Sequence, residues 1–251
     1  MEKSLNIIMD IVEQMLLSGA EISRIEDSAR RLGAAFGSVR TDAFIITSNI
    51  EISLHDKSGA SCTQIRRVVG IGTDIEKLHR LNSLTRKICT EKVSLEDIEI
   101  ELERIKVGRP YPFSVTVFAY GLIAGAFTLF FGGGVVEGIC SLAVGLILAF
   151  IVKFTELGTL NKIFAKFFCS FAATLLAFVC MKIGLVDSVD HIIIGNIMLI
   201  IPGVGLTVAL RDLFVGDSLS GALRSIEVVL FAIAIAGGYF LSAGIMGGVA
   251  V

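Results

Sequence analysis

The sequence predicts a mainly α membrane protein: a small α+β cytoplasmic domain over residues 1–110, followed by five transmembrane helices within residues 111–251. Three observations predict it. The 251 residues are 54% hydrophobic with a mean hydropathy of +0.80, too apolar for an ordinary soluble domain. The charges are unevenly divided, with 16 of the 22 Lys and Arg and 17 of the 24 Asp and Glu in residues 1–112. Beyond residue 112, where 19 of the 26 glycines lie, apolar residues gather into runs close to the ~20 residues a helix needs to cross a bilayer. The net charge of -2 says nothing about nucleic acid, but no basic stripe appears, and no nucleic-acid partner is expected.

In the first part, apolar residues recur at three- and four-residue steps at Leu5, Ile8, Val12, Met15 and Leu16. They do so again at Ile22, Ile25, Ala29, Leu32 and Phe36. Both runs predict amphipathic helices. Ser18 and Glu21 between them have capping-box spacing, so either a break or one long helix with a local irregularity is expected. Residues 41–54 change period: Ile46, Ser48, Ile50, Ile52 and Leu54 share one parity and predict a strand. Turn residues at 56–61 and a second strand at 62–69 complete a hairpin, expected to pack on the helices or pair with another copy. Thr73 to Glu76 caps a helix to about Cys89, and Ser94 opens another that ends at Gly108 and Pro110.

The apolar runs cover 113–131, 134–152, 163–181, 191–210 and about 226–248. Glu137 lies near one end of the second and reads either as an interfacial carboxylate or as a proton carrier in the packed interior. Lys166 lies near one end of the third, where it can snorkel. Gly121-xxx-Gly125 and Gly134-xxx-Gly138 have the spacing that lets helices approach closely in lipid. Arg104, Lys106 and Arg109, then Lys153, Lys162 and Lys166, then Arg211 and Arg224 mark alternate connections. The positive-inside bias therefore places the N-terminal domain in the cytoplasm, and five crossings put Val251 outside. The opening "MEKSLNIIMDIVEQMLLSG" carries charges throughout and is not a signal peptide.

Catalytic and metal chemistry find little support. Cys62, Cys89, Cys140, Cys169 and Cys180 form no CxxC pair and read as reduced, structural thiols. His55, His79 and His191 are too scattered for a metal site, and no cofactor is expected. The sequence contains no nucleophile elbow, phosphate loop or HExxH. "FVGD" has Phe214 where an intramembrane aspartyl protease has glycine. The residues thus offer no catalytic constellation.

The fourth run is unusual. "HIIIGNIMLIIPGVGLTVAL" holds Asn196, Pro202, Gly203 and Gly205, and is followed by Arg211-Asp212, Asp217, Arg224 and Glu227. Proline removes a backbone hydrogen bond. In lipid the freed carbonyls must face protein or cavity water. Such a break is either a simple kink or a substrate site built from half-helix ends. The charges read either as a salt-bridged cytoplasmic loop, with Arg224 and Glu227 one turn apart, or as a gate that holds a zwitterion.

Two stretches carry a family resemblance. In "LLSGAEISRIEDSARRLGAAFG" the positions Gly19, Ala20, Arg24, Ile25 and Glu26 match a G-A-x-x-x-R-[VI]-E pattern. In "IPGVGLTVALRDLFVGDSLSGALRSIE" the matching positions are Ile201-Pro202-Gly203, Arg211-Asp212, Gly216-Asp217, Ser220-Gly221 and Arg224. The chain resembles the N-terminal portion of the threonine/serine exporter family over nearly its whole length. The resemblance implies a secondary-active exporter of a plasma (bacterial inner) membrane, driven by the proton gradient. Its substrates would be small hydrophilic metabolites, either threonine/serine-type amino acids or dicarboxylates. Longer members carry a second membrane half, so the chain looks like the larger subunit of a split transporter. A smaller membrane protein would supply the other half, with homo-oligomerisation as the competing arrangement. The alternative function is a membrane-anchored sensor or assembly factor with no transport activity of its own.

Overall fold

The computed structural model describes residues 1–108, 111–157 and 161–246. Arg109, Pro110 and Val251, on which part of the orientation expectation rests, lie outside the described residues. By contacts the chain divides into two units. The first joins Met1–Arg109 to Gly203–Ile226, and the second joins Pro110–Pro202 to Glu227–Val251. Residues 203–226, placed by sequence in the membrane part, thus group with the N-terminal elements.

The first unit opens with α1 (Glu2–Leu17) and α2 (Ile22–Ala35), followed by strands β1 (Arg40–Ile46), β2 (Asn49–His55) and β3 (Ser61–Arg67). Helices α3 (Ile75–Thr90) and α4 (Leu95–Val107) follow. The expected hairpin is a three-stranded antiparallel meander in the order β1-β2-β3. Ile46 pairs with Asn49, so Thr47 and Ser48 form a two-residue turn inside what reads as one strand. Neither residue carries the Asn-Gly or Gly-X signal of such turns, which is why periodicity alone runs through it.

The periodic residues Leu5, Ile8, Val12, Met15, Leu16, Ile22, Ile25, Ala29 and Leu32 are all buried in one core with Ile45, Ile50, Ile52 and Leu54. Ile7, Met9 and Ile11 are buried too, so α1 is enclosed on more faces than its main stripe indicates. The turn after it is not a capping box. Ser18 Oγ donates back to Gln14 O at 2.7 Å. Gly19 adopts φ +86, and a Cβ there would come within 2.7 Å of Gly72 O, so both the conformation and the space require glycine. The caps expected at α3 and α4 are formed: Asp74 accepts from Lys77 N–H at 2.9 Å, and Ser94 accepts from Asp97 N–H at 3.1 Å.

The second unit holds α5 (Phe113–Phe130), α6 (Val135–Leu157), α7 (Lys162–Lys182) and α8 (Asp190–Ile197). The fourth apolar run is split between α8 and α9 (Gly203–Val215), and α10 (Ser218–Ile245) begins in the first unit and continues into the second. Among the described residues, four helices are long and apolar enough to cross a membrane: α5, α6 over Val135–Thr155, α7 and α10. Among the described residues the fifth crossing, expected over the interrupted fourth run, is not confirmed. With 8 and 13 residues, α8 and α9 each fall short of the ~30 Å hydrocarbon core at 1.5 Å per residue. Because α10 starts at Ser218, Arg224 and Glu227 sit within a helix rather than in the connection, which shrinks to Gly216 and Asp217. Glycine spacing sets the α5–α6 contact as expected: a Cβ on Gly125 would lie 3.0 Å from Gly138 O, and one on Gly121 would lie 3.1 Å from Leu142 O.

Candidate functional site

The first unit contains a buried charge cluster. Asp212, near the C-terminal end of α9, is 1% exposed and Arg224, in the second turn of α10, is 7% exposed. Arg224 Nε lies 3.4 Å from Asp212 Oδ2, while Arg224 Nη2 donates to Ala20 O at 3.0 Å. Next to Asp212, Arg211 Nη1 pairs with Glu21 Oε1 at 2.8 Å. Two motifs that are far apart in the chain thus meet around the α1–α2 turn. The Asp212 carboxylate lies near the start of α2, where the helix dipole favours negative charge, and neither of its oxygens has a hydrogen-bond partner among the described residues. Asp212 stands outside the four apolar helices. Burial pushes its carboxyl above the usual range, against the opposing pull of Arg224.

The remaining motif residues surround this cluster. Asp217 N–H donates to Asp212 O at 2.9 Å, and Gly216, at φ +102, turns the chain between α9 and α10. Burial raises the Glu26 carboxyl, with Asp217 adding to the rise and Arg30 opposing it. Arg30 pairs with Glu26 at 2.9 Å. Gly19, Ala20 and Arg24 line a small cavity together with Glu21. The link between the two motifs therefore runs through Ala20 and Glu21 rather than through an ion pair of Arg24 or Glu26. Glu227 is exposed.

The second unit contains the break. Helix α8 ends at Ile197 and the next helix begins at Gly203. Pro202 has no N–H to offer the carbonyl four residues before it. The chain tightens instead, with Ile200 N–H donating to Ile197 O at 2.8 Å. Lys166 Nζ, from the first turns of α7, donates to Ile200 O at 2.8 Å. A cation thus satisfies a carbonyl freed at the break, just past the negative end of α8. Asn196 in α8 is fully buried. Its amide donates to Ser141 Oγ and to Ile192 O, both at 2.9 Å, and its Oδ1 has no hydrogen-bond partner among the described residues. At the other end of α8, His191 Nδ1 lies 3.3 Å from Glu137 Oε2. That oxygen also accepts the Gly134 N–H at 2.7 Å, and Thr128 Oγ1 donates to His191 O at 3.2 Å.

Both motifs and the apolar helices fall inside one family match. Residues 6–246 match the family model ThrE, described as "Putative threonine/serine exporter". The chain belongs to the threonine/serine exporter family. It is also similar to pheromone-regulated membrane protein 10 of Kluyveromyces lactis, 24% identical over 185 residues, which is 70% of this chain and 19% of that protein. The protein of the same name from Eremothecium gossypii is 23% identical over 185 residues, 70% of this chain and 24% of the relative. The chain therefore spans about a fifth to a quarter of these relatives' length. No solved structure matches it.

For this exporter-family chain, sequence reasoning identified the interrupted run and the charges that follow it. It missed Glu21, the Ala20 carbonyl and Ser141, and it read Lys166 as a group snorkelling at the end of a span. Backbone carbonyls carry no residue signal, and Ser141 is one small residue in an apolar run. Glu21 stands inside the matched motif at a position the pattern leaves open. Among the described residues, no group of three or more His, Cys, Asp or Glu is placed to hold a metal ion.

Proposed function

We propose that the chain is a subunit of a secondary-active exporter of small hydrophilic metabolites, threonine/serine-type amino acids or dicarboxylates, with the interrupted fourth run as part of the substrate path. The observation that carries this reading is the break itself. The carbonyl of Ile200 is taken by the Lys166 ammonium, and the neighbouring buried Asn196 keeps an oxygen without a partner. An apolar anchor needs neither a helix break nor an ammonium and an amide beside it. Both are costly at membrane depth unless they face protein, substrate or water. A lysine held at the break and an open amide oxygen together suit a ligand with a carboxylate and hydrogen-bond donors. The Asp212–Arg224 pair, held to the α1–α2 turn, acts in this reading as a latch on the first unit.

The reading further places residues 1–108 in the cytoplasm of a plasma-membrane exporter, with a smaller membrane subunit completing the path. A path between inverted halves is a common transporter plan, and the second unit supplies one set of helices. The test is counterflow in proteoliposomes loaded with threonine, serine or a dicarboxylate, with and without the candidate partner. Saturable flux that Lys166→Met removes supports the reading. Absence of flux for every substrate with both chains present refutes it.

A further inference from the structure

Two thiols from different helices meet in the second unit. Cys140 lies in the second turn of α6 and is 6% exposed. Cys180 lies in the last turn of α7 and is half-buried. Cys140 belongs to the apolar cluster that includes Val144, Ala177 and Ile192, and Cys180 packs against the same cluster. The two side chains interact directly with each other, by charge and by hydrogen bonding. We propose that Cys140 and Cys180 form a reversible disulfide, a redox staple across the outer end of the membrane helices. The contact between the thiols is independent of the transport reading. The compartment rests on the orientation in that reading, which puts the start of α6 and the end of α7 outside.

Position singles out this pair and divides the work within it. Cys169 belongs to a different cluster, with Leu148 and Ala173, and Cys62 and Cys89 belong to the first unit. Of the two thiols in contact, Cys180 is the one a reagent can approach, while Cys140 is enclosed. Cys180, as the thiolate, attacks one sulfur of a donor that carries a disulfide. The donor S–S bond breaks, one donor sulfur leaves and takes up a proton, and a mixed disulfide remains on Cys180. The Cys140 sulfur, losing its proton, then attacks Cys180 Sγ and expels the second donor sulfur. In all, the two cysteines give up two protons and two electrons, and the donor disulfide becomes two thiols.

Such a bond persists on the outer side of a bacterial-type plasma membrane, where the surroundings are oxidising, and is reduced on the cytoplasmic side. It ties the start of α6 to the end of α7. It also fixes the cluster that receives Val189, Ile192 and Ile193 around the start of α8, the end from which the interrupted fourth run sets out.

The probe is oxidised glutathione, added to the purified full chain in detergent. Free thiols are then alkylated with a maleimide, and the unreduced chain is cut at lysine, which separates the two cysteines at Lys153, Lys162 and Lys166. Mass spectrometry should find two peptides joined through Cys140 and Cys180, with Cys169 alkylated, and dithiothreitol should release them. The oxidised chain should unfold at a midpoint at least about 5 °C above the reduced chain, as expected for closing a long loop. Cys140→Ser should stop at the mixed disulfide of Cys180 with glutathione, whereas Cys180→Ser should leave Cys140 unmodified. Glutathione on the exposed Cys89 with no Cys140–Cys180 link overturns the proposal, and so does a link from Cys180 to any other cysteine. In membranes from expressing cells, quenched with acid before alkylation, the pair should already be oxidised. Reduced thiols there overturn the staple. Labelling of Cys89 by an impermeant maleimide then separates the causes. Labelling from outside intact cells means that the orientation has failed with the staple, and labelling only in inverted vesicles means that the staple has failed alone.

Discussion

At the scale of single residues, the chemistry concentrates on charges removed from water. Asp212 and Arg224 are each almost fully enclosed, and separating such a pair costs about 3–5 kcal/mol because the remaining charge stays buried. Asp212→Asn removes the charge while keeping the size and shape of the side chain. It is expected to lower the stability of the purified chain by about 3 kcal/mol and to reduce flux by at least about tenfold. Thermal unfolding and counterflow on the same preparation check both, and wild-type flux would show that the pair is only structural. Lys166 makes a sharper distinction. Lys166→Met leaves the Ile200 carbonyl without its donor, whereas Lys166→Arg keeps a cation. If the ammonium serves only to satisfy the backbone, arginine restores stability and flux together. If it also receives substrate, arginine restores stability but leaves an altered KM.

At the scale of elements, two joints decide the packing. In the second unit, Gly195 of α8 lies against α5: a Cβ there would come within 2.8 Å of Ala124 O and would also press on Thr128. Backbone cannot move aside as a flexible side chain can. Gly195→Ala is therefore expected to destabilise by about 1–3 kcal/mol, visible as a lower midpoint of thermal unfolding. In the first unit, α1, β3 and α4 are tied by ion pairs. Arg66 Nη1 binds Asp10 at 2.6 Å and Glu13 at 2.7 Å, and Lys106 Nζ binds Asp10 at 2.9 Å. Burial alone would raise the Asp10 carboxyl, but hydrogen bonds from Arg66 and Lys106 outweigh it and bring the pKa below its ordinary 3.8. A depressed folded-state pKa means that the unfolded chain takes up the proton first. The stabilisation is therefore present above pH 3.8 and lost as pH falls through the lower folded value. Asp10→Asn should lower stability near neutral pH and flatten this part of the acid limb. An unchanged acid limb would show that Asp10 does not contribute to it.

At the scale of the whole molecule, the chain combines a soluble-type core with apolar helices, and its orientation can be tested with a native thiol. Cys89 is the exposed cysteine on α3, and the other four are buried or half-buried. If the first unit is cytoplasmic, a membrane-impermeant maleimide should label Cys89 in inverted vesicles and not in intact cells. Burial raises the Cys89 thiol above its ordinary value, so labelling should quicken with mild alkalinity, because the thiolate is the nucleophile. Labelling from outside intact cells would reverse the orientation.

Periodicity along the chain was enough to determine the amphipathic helices, the caps at Asp74 and Ser94, the apolar runs and the interruption at Pro202. Each follows from local physics: side chains three and four apart share a helix face, and proline lacks the N–H that a helix requires. The turn at Thr47 and Ser48 escaped because its residues carry no conformational signature, and the start of α10 at Ser218 escaped because charges were read as loop. The charge cluster was legible only as two separate motifs. That Arg224 reaches the Ala20 carbonyl and Lys166 the Ile200 carbonyl was decided by tertiary structure alone. In both cases the partner is backbone, identical in every residue, so no pattern of side chains can announce it. Only the packing of distant elements brings a particular carbonyl within reach of a particular cation.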